Sequence, residues 1–387
     1  MKKNIDTLYR NICYVLIISI IICATPLNYF GSYRRIPIYL CTIFLLVYRF
    51  NIFIKKPYIG KIFLFFLLTI ASFLLRNANV GLVFEWMAPL VLVGTIKRSE
   101  KIIFRKMGYI FIAVFVLNCL ISIYERFTMS YLLNYNVSYL GSFTGELQSN
   151  ALMFDNVLTF RPMALFGHPL TNANIMSMLI FTIYYSDFCN KLIRFSLASL
   201  GMFSLFCFNS RGALMISCIL FVPIFIDILV TKDIGMFGKL VIGIVALAFS
   251  TIVIANIYVL GGGLFNADLS DDSSNVRIDA IKYFMSISLE DLLLGGNILK
   301  YQENGFLMIL EELGLIFGSI FVYLHAFFSW KHITTPTKVG KLSIFISFFV
   351  VACTNSNLYY PILFALFMLT LISIDNSQKN IYKNEFR

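Results

Sequence analysis

Runs of apolar residues, most of them roughly 15–23 long, alternate with short polar breaks along nearly the whole chain. At the helical rise that length covers about 30 Å of hydrocarbon, so each run predicts a membrane-spanning helix. About twelve spans are expected, near 11–30, 37–54, 62–76, 80–95, 107–124, 172–188, 195–208, 212–230, 240–260, 304–328, 342–354 and 357–374. The seventh and eleventh are short, which sets the expected number at about 10–12. Two polar interruptions are long, about 125–171 and 261–303. No internal repeat, low-complexity tract or soluble domain is visible, so 1–387 reads as a single integral membrane domain. The first run follows Met1-Lys2-Lys3 and reaches about Phe30 without a small-x-small cleavage site, which predicts an uncleaved first span.

Composition sharpens this picture. The chain is 59% hydrophobic and 13% charged, with a mean hydropathy of +0.82, whereas soluble domains are about a quarter charged. The fold class is therefore all-α, a polytopic membrane protein. Its 40 phenylalanines suit lipid-facing helices better than a soluble core. The eight cysteines stand singly in apolar segments, away from any CxxC or Cys/His grouping, and predict neither a disulfide framework nor a zinc site.

The net charge of +11 is mostly a topology signal. With the N-terminus in the cytoplasm, 21 of the 31 basic residues fall in cytoplasmic segments, and both termini are inside. Nine fall outside: Arg34, Arg35, Arg76, Arg126, Arg161, Arg211, Arg277, Lys282 and Lys300. Arg49, within span two, is expected to snorkel toward the inner face. Both long loops then face outward. The second holds Arg277, Lys282 and Lys300 against Asp268, Asp271, Asp272, Asp279, Glu290, Asp291 and Glu303, a net of −4. A general basic funnel for polyanions is excluded, and no nucleic acid is expected as a partner; phosphate contacts must come from individually placed arginines.

Four places carry candidate chemistry. Arg211, in Phe208-Asn209-Ser210-Arg211-Gly212, opens span eight. A cation so close to hydrocarbon needs a partner or a wet cavity, and its planar fork suits phosphate oxygens; anchoring to lipid headgroups is the plainer alternative. Arg161 and His168 lie where the first long loop returns to the membrane, with His168 held out of helical geometry by Pro169. An imidazole there can hydrogen-bond a sugar hydroxyl or a phosphate, and Asn172 or Asn174 can help to start span six. Arg277 follows Ser273-Ser274-Asn275, plausible N-caps, and Ile278, Ile281, Phe284 and Met285 predict a short amphipathic helix on the membrane surface.

Glu303 and Asn304 immediately precede span ten. A carboxylate at the rim of a membrane cavity can act as a general base, and it is also a favourable anion at a helix N-terminus. Glu312 lies deeper in the same span, and Glu85 lies inside span four; intramembrane carboxylates are functional candidates by default. No G-x-x-x-x-G-K-[ST] loop is present to support an ATP-driven pump, and no G-x-S-x-G elbow to support a serine hydrolase.

The motifs Arg161…Gly167-His168-Pro169…Asn174, Asn209-Ser210-Arg211-Gly212, Asn275-Val276-Arg277, Leu294-Gly295-Gly296, Glu303-Asn304-Gly305-Phe306-Leu307 and Glu312-Leu313-Gly314-Leu315 follow in that order. In this order they resemble the O-antigen polymerase and O-antigen ligase superfamily of bacterial membrane glycosyltransferases. The resemblance implies a metal-independent, GT-C-type enzyme without cofactors, acting at the outer face of the cytoplasmic membrane. Its donor and acceptor would be undecaprenyl-diphosphate-linked glycans, and a chain-length regulator protein would be a partner beside membrane lipid. Arg211 and Arg277 would hold the donor diphosphate, Glu303 would be the base, and Arg161, His168, Asn304 and Glu312 would contact substrate. Ligases of the family carry His where this chain has Glu303, which favours polymerisation of O-antigen or capsular repeat units. A ligase that moves finished glycan to another acceptor, and a flippase for lipid-linked oligosaccharide, are the alternatives.

Overall fold

The computed structural model describes residues 2–25, 31–75, 83–96, 101–133, 160–187, 189–230, 235, 243, 279, 281–295, 304–335, 337–353, 358 and 360–373. All regular structure among them is helical. The helices are α1 (Lys2–Ala24), α2 (Ile36–Tyr48), the short α3 (Phe50–Phe53), α4 (Ile59–Leu75), α5 (Val83–Thr95), α6 (Lys101–Thr128), α7 (Pro169–Tyr184), α8 (Lys191–Cys207), α9 (Arg211–Val230), α10 (Leu289–Leu294), α11 (Gly305–His332), α12 (Lys338–Phe345), α13 (Val351–Cys353) and α14 (Pro361–Ser373). A π-helical turn, Ile346–Val350, joins α12 to α13. The apolar runs read from the sequence coincide with these helices, except the run near 240–260, which apart from Gly243 lies outside the described residues.

Four helices among the described residues are long and apolar enough to cross a membrane: Thr7–Ala24, Met107–Thr128, Gly212–Val230 and Gly305–His332. Ile59–Ala71, Val83–Thr95 and Pro361–Ile372 are apolar but shorter. The starts are set by local chemistry. Pro169 fits the first turn of α7, since its missing N–H would have had no helical partner there. Asn190 accepts from Ile193 N at 2.8 Å, and Thr337 accepts from Gly340 N at 3.1 Å, capping α8 and α12.

Aromatic rings fill the space between α4, α5, α11 and α14. Phe65 stacks on Phe321 at 4.9 Å and meets Trp86 at 5.6 Å, and Trp86 lies 5.3 Å from Phe364. Lipid is as apolar as these side chains, so close packing rather than water exclusion must hold such helices together. Serine pairs add cross-links: Ser122 to Ser204 at 2.7 Å between α6 and α8, Ser177 to Ser217 at 2.8 Å between α7 and α9.

Several lysines gather at one end of the helices. There Lys61 lies 3.7 Å from the Phe327 ring, Lys331 lies 3.7 Å from the Tyr58 ring, and Lys191 pairs with Asp227 at 2.8 Å. Arg49 belongs to this basic end but does not snorkel as expected. It is buried, donates to Thr95 O at 3.2 Å and covers the Tyr9 ring at 3.5 Å, because three helix termini converge around it. The opposite end carries the candidate site.

Two sequence expectations change there. Glu125 and Arg126 belong to the last turns of α6, not to the loop expected from residue 125. The expected single span at 304–328 is interrupted: Gly314 has φ 74° and ψ 169°, so α11 is two helices meeting at a sharp bend. A Cβ on Gly318 would lie 3.0 Å from Ile309 O. Nine residues of straight helix span about 13.5 Å, so the halves must fold toward one another. The portion after the break alone spans about 27 Å.

Candidate functional site

The candidate residues sit on two limbs. The first is built on α6, where Asn118, Ser122 and Glu125 fall on one face. Glu125 is fully buried. Its Oε1 accepts from Leu132 N at 3.0 Å, and its Oε2 accepts from Met163 N at 2.9 Å and Ala164 N at 2.8 Å. Asn118 Oδ1 accepts from Leu165 N at 2.9 Å. The loop bends tightly there, with Ala164 at φ 42° and Gly167 at φ 69°. A non-glycine residue in that region is strained, and the Glu125 carboxylate is what holds it.

Asn172 completes the clamp from α7, donating to Met163 O at 2.6 Å and His168 O at 2.9 Å. Arg126 donates to Phe160 O and, at 3.3 Å, to Cys207 O. This buried guanidinium joins the returning loop to the end of α8, four residues before Arg211. Asn209 turns the chain there with φ 52°, and Ser210 O accepts from Leu214 N at 2.9 Å to open α9. Arg161 and His168 are thus brought beside the turn that carries Arg211, whose backbone begins α9 and whose side chain lies outside the described residues.

His168 is extended, with φ −145° and ψ 128°. Burial, and then the Arg161 cation, push its imidazole down to about 4. It is therefore neutral near pH 7 and offers one donor and one acceptor, which suits a sugar hydroxyl. The sign for stability follows. Below an ordinary imidazole pKa of about 6.5 the unfolded chain takes up a proton that the folded chain refuses until about 4. Stability is expected to fall as pH drops through that window, by up to about 1.4 kcal/mol per pH unit from this group. Unfolding midpoints in detergent, measured for wild type and His168→Gln, check this; equal slopes would remove His168 as the cause.

The second limb contains the helical stretch 281–286, α10 and the first half of α11. Ile281 and Met285, on the segment expected to lie on a membrane surface, are exposed, as is Leu289 at the start of α10. Ser288 caps α10, accepting from Asp291 N at 3.2 Å. Gly295, with φ 75°, then meets Gly314 backbone to backbone. A Cβ on Gly295 would lie 2.2 Å from Gly314 N, and one on Gly314 would lie 2.3 Å from Leu293 O. Asn304 Oδ1 accepts from Phe306 N at 3.0 Å and Leu307 N at 3.2 Å, so the cap uses its amide oxygen and not its amide nitrogen. Glu311 and Glu312 are buried just before the break. Arg277 and Glu303 lie outside the described residues, two before Asp279 and one before Asn304.

Glu85, also a sequence candidate, is buried and paired with Arg35 at 2.5 Å. It ties α5 to the start of α2, a structural use. Glu125 and Arg126 were missed as site residues. Their signal was the polar spacing Asn118, Ser122, Glu125 within an otherwise apolar run.

Compared with known proteins, the chain matches no family model and no curated sequence.

Proposed function

We propose that the chain is a membrane glycosyltransferase that polymerises undecaprenyl-diphosphate-linked repeat units into O-antigen or capsular polysaccharide at the outer face of the bacterial cytoplasmic membrane. An acceptor sugar hydroxyl gives its proton to the Glu303 carboxylate and attacks the anomeric carbon of the donor glycan. The bond from that carbon to the diphosphate breaks, and undecaprenyl diphosphate leaves with the electron pair. Arg211 and Arg277 stabilise the charge that develops on it. Arg161, His168, Asn304 and Glu312 hold the sugars and phosphate in place.

The observation that supports this most is the Arg126 bridge, which gathers the Arg161–His168 segment and the Arg211 turn at one end of the bundle. That end is opposite the cluster of lysines, as an outward-facing site would be under the positive-inside rule.

The test is purified protein in lipid vesicles supplied with a single lipid-linked repeat unit. A ladder of products is the expected result. No product until a second, different acceptor is added would make it a ligase. Transbilayer movement without any new glycosidic bond would make it a flippase. Arg211→Ala and Arg277→Ala are each expected to lower turnover about 10²–10³-fold, as removal of one preorganised charge-stabilising group does elsewhere, while insertion and yield stay as in wild type. Normal ladders from either variant would remove that residue from the mechanism.

A further inference from the structure

Asn174, in the second turn of α7, is 1% exposed, and neither its amide oxygen nor its amide nitrogen has a hydrogen-bond partner among the described residues. Its neighbour Asn172 spends its side chain on the loop, so the orphaned amide does not serve the clamp. A buried, wholly unsatisfied carboxamide is costly and calls for an explanation.

Its place follows from the register of two helices. Ser177 meets Ser217, and Tyr184 hydrogen-bonds Ile224 O, both pairs 40 apart in sequence, so α7 and α9 run side by side in parallel. The same offset sets Asn174 level with Leu214. Arg211 is three residues nearer the end of the bundle on the same helix, about 4.5 Å along its axis. Asn174 thus lies one turn beneath the Arg211 turn, on a helix that is buried on nearly every side.

We propose that Asn174 binds the sugar next to the diphosphate of the donor; this rests on the glycosyltransferase reading above. A phosphate would engage only the amide nitrogen and leave the oxygen unpaired. A partner that both donates and accepts, a ring hydroxyl or an acetamido group, satisfies both atoms. Asn174 is a substrate-binding residue in this account, with no part in proton transfer.

The experiment compares wild type with Asn174→Leu and Asn174→Ala in three measurements: thermal unfolding, binding of undecaprenyl diphosphate without sugar, and binding of the lipid-linked repeat. The expected result is an unfolding midpoint unchanged or raised, because an unsatisfied amide has been removed. Bare undecaprenyl diphosphate should bind as before, and the sugar-bearing lipid roughly tenfold or more weakly, the discrimination that a lost polar contact to a sugar produces. Midpoints lowered in both variants would overturn the proposal, since the amide would then be holding the fold. Unchanged affinity for the sugar-bearing lipid would overturn it as well. If wild type itself binds neither lipid, the glycosyltransferase reading fails first, an outcome distinct from either.

Discussion

Glu125→Ala is expected to cost at least about 3 kcal/mol of folding stability, because it leaves three backbone N–H groups without the carboxylate that accepts them, at about 1–3 kcal/mol for each buried one. Those groups belong to Leu132, Met163 and Ala164. Glu125→Gln should cost less. Its carbonyl can keep the two bonds to Met163 and Ala164, and its NH2 group then faces the Leu132 N–H and loses only that bond. Thermal unfolding of the three proteins in one detergent checks the order: wild type most stable, then Gln, then Ala. The Ala variant should also lose the proposed transferase activity out of proportion to its yield, since Ala164 can leave φ 42° once its anchor is gone and the Arg161–His168 segment moves with it. An Ala variant that unfolds at the wild-type temperature would show that the loop is held by something other than this carboxylate.

The helices were largely legible in the sequence, since hydropathy and length are all that a membrane-crossing segment needs. What hydropathy cannot see is direction and partnership. Arg49 looked like a residue reaching for water, yet Tyr9 and Thr95 supply a ring and a carbonyl at the same depth, from runs that the sequence gives no reason to place there. Glu125-Arg126 looked like the onset of a solvated loop because two opposite charges follow an apolar run. In the structure the carboxylate accepts from three backbone N–H groups and the guanidinium donates to Phe160 O and Cys207 O, and both are buried. Gly314 was invisible for another reason. A lone glycine in an apolar run costs a straight helix only about 1 kcal/mol, so nothing in Gly305–His332 announces a break. The partner that makes the break worthwhile, Gly295, is distant in sequence and lies in a polar segment. Of the residues proposed for catalysis, the described residues include only the backbone of Arg211.

Gly314→Ala is the substitution expected to do most damage to the second limb. A side chain at φ 74° and ψ 169°, a region essentially restricted to glycine, is disfavoured by about 1–3 kcal/mol. The new Cβ would also lie 2.3 Å from Leu293 O and 2.6 Å from the Leu294 carbonyl carbon, backbone atoms that cannot rotate aside. Alanine prefers the helix, so the cheapest relief is for α11 to straighten, and straightening expels the Leu293–Gly295 backbone from the bend. The α10 segment and the helix capped by Asn304 would then part. The expected outcome is near-complete loss of polymer with the protein still inserted, and the same from Gly295→Ala, whose Cβ would lie 2.2 Å from Gly314 N. Gly60→Ala, where nothing lies within 4 Å, is the control and should behave as wild type. Cysteine pairs at 309 and 318 report the geometry directly: they should cross-link through a short reagent in the wild-type background and fail to in Gly314→Ala. Efficient cross-linking together with normal polymer in Gly314→Ala would mean that the bend survives a Cβ and does not depend on glycine.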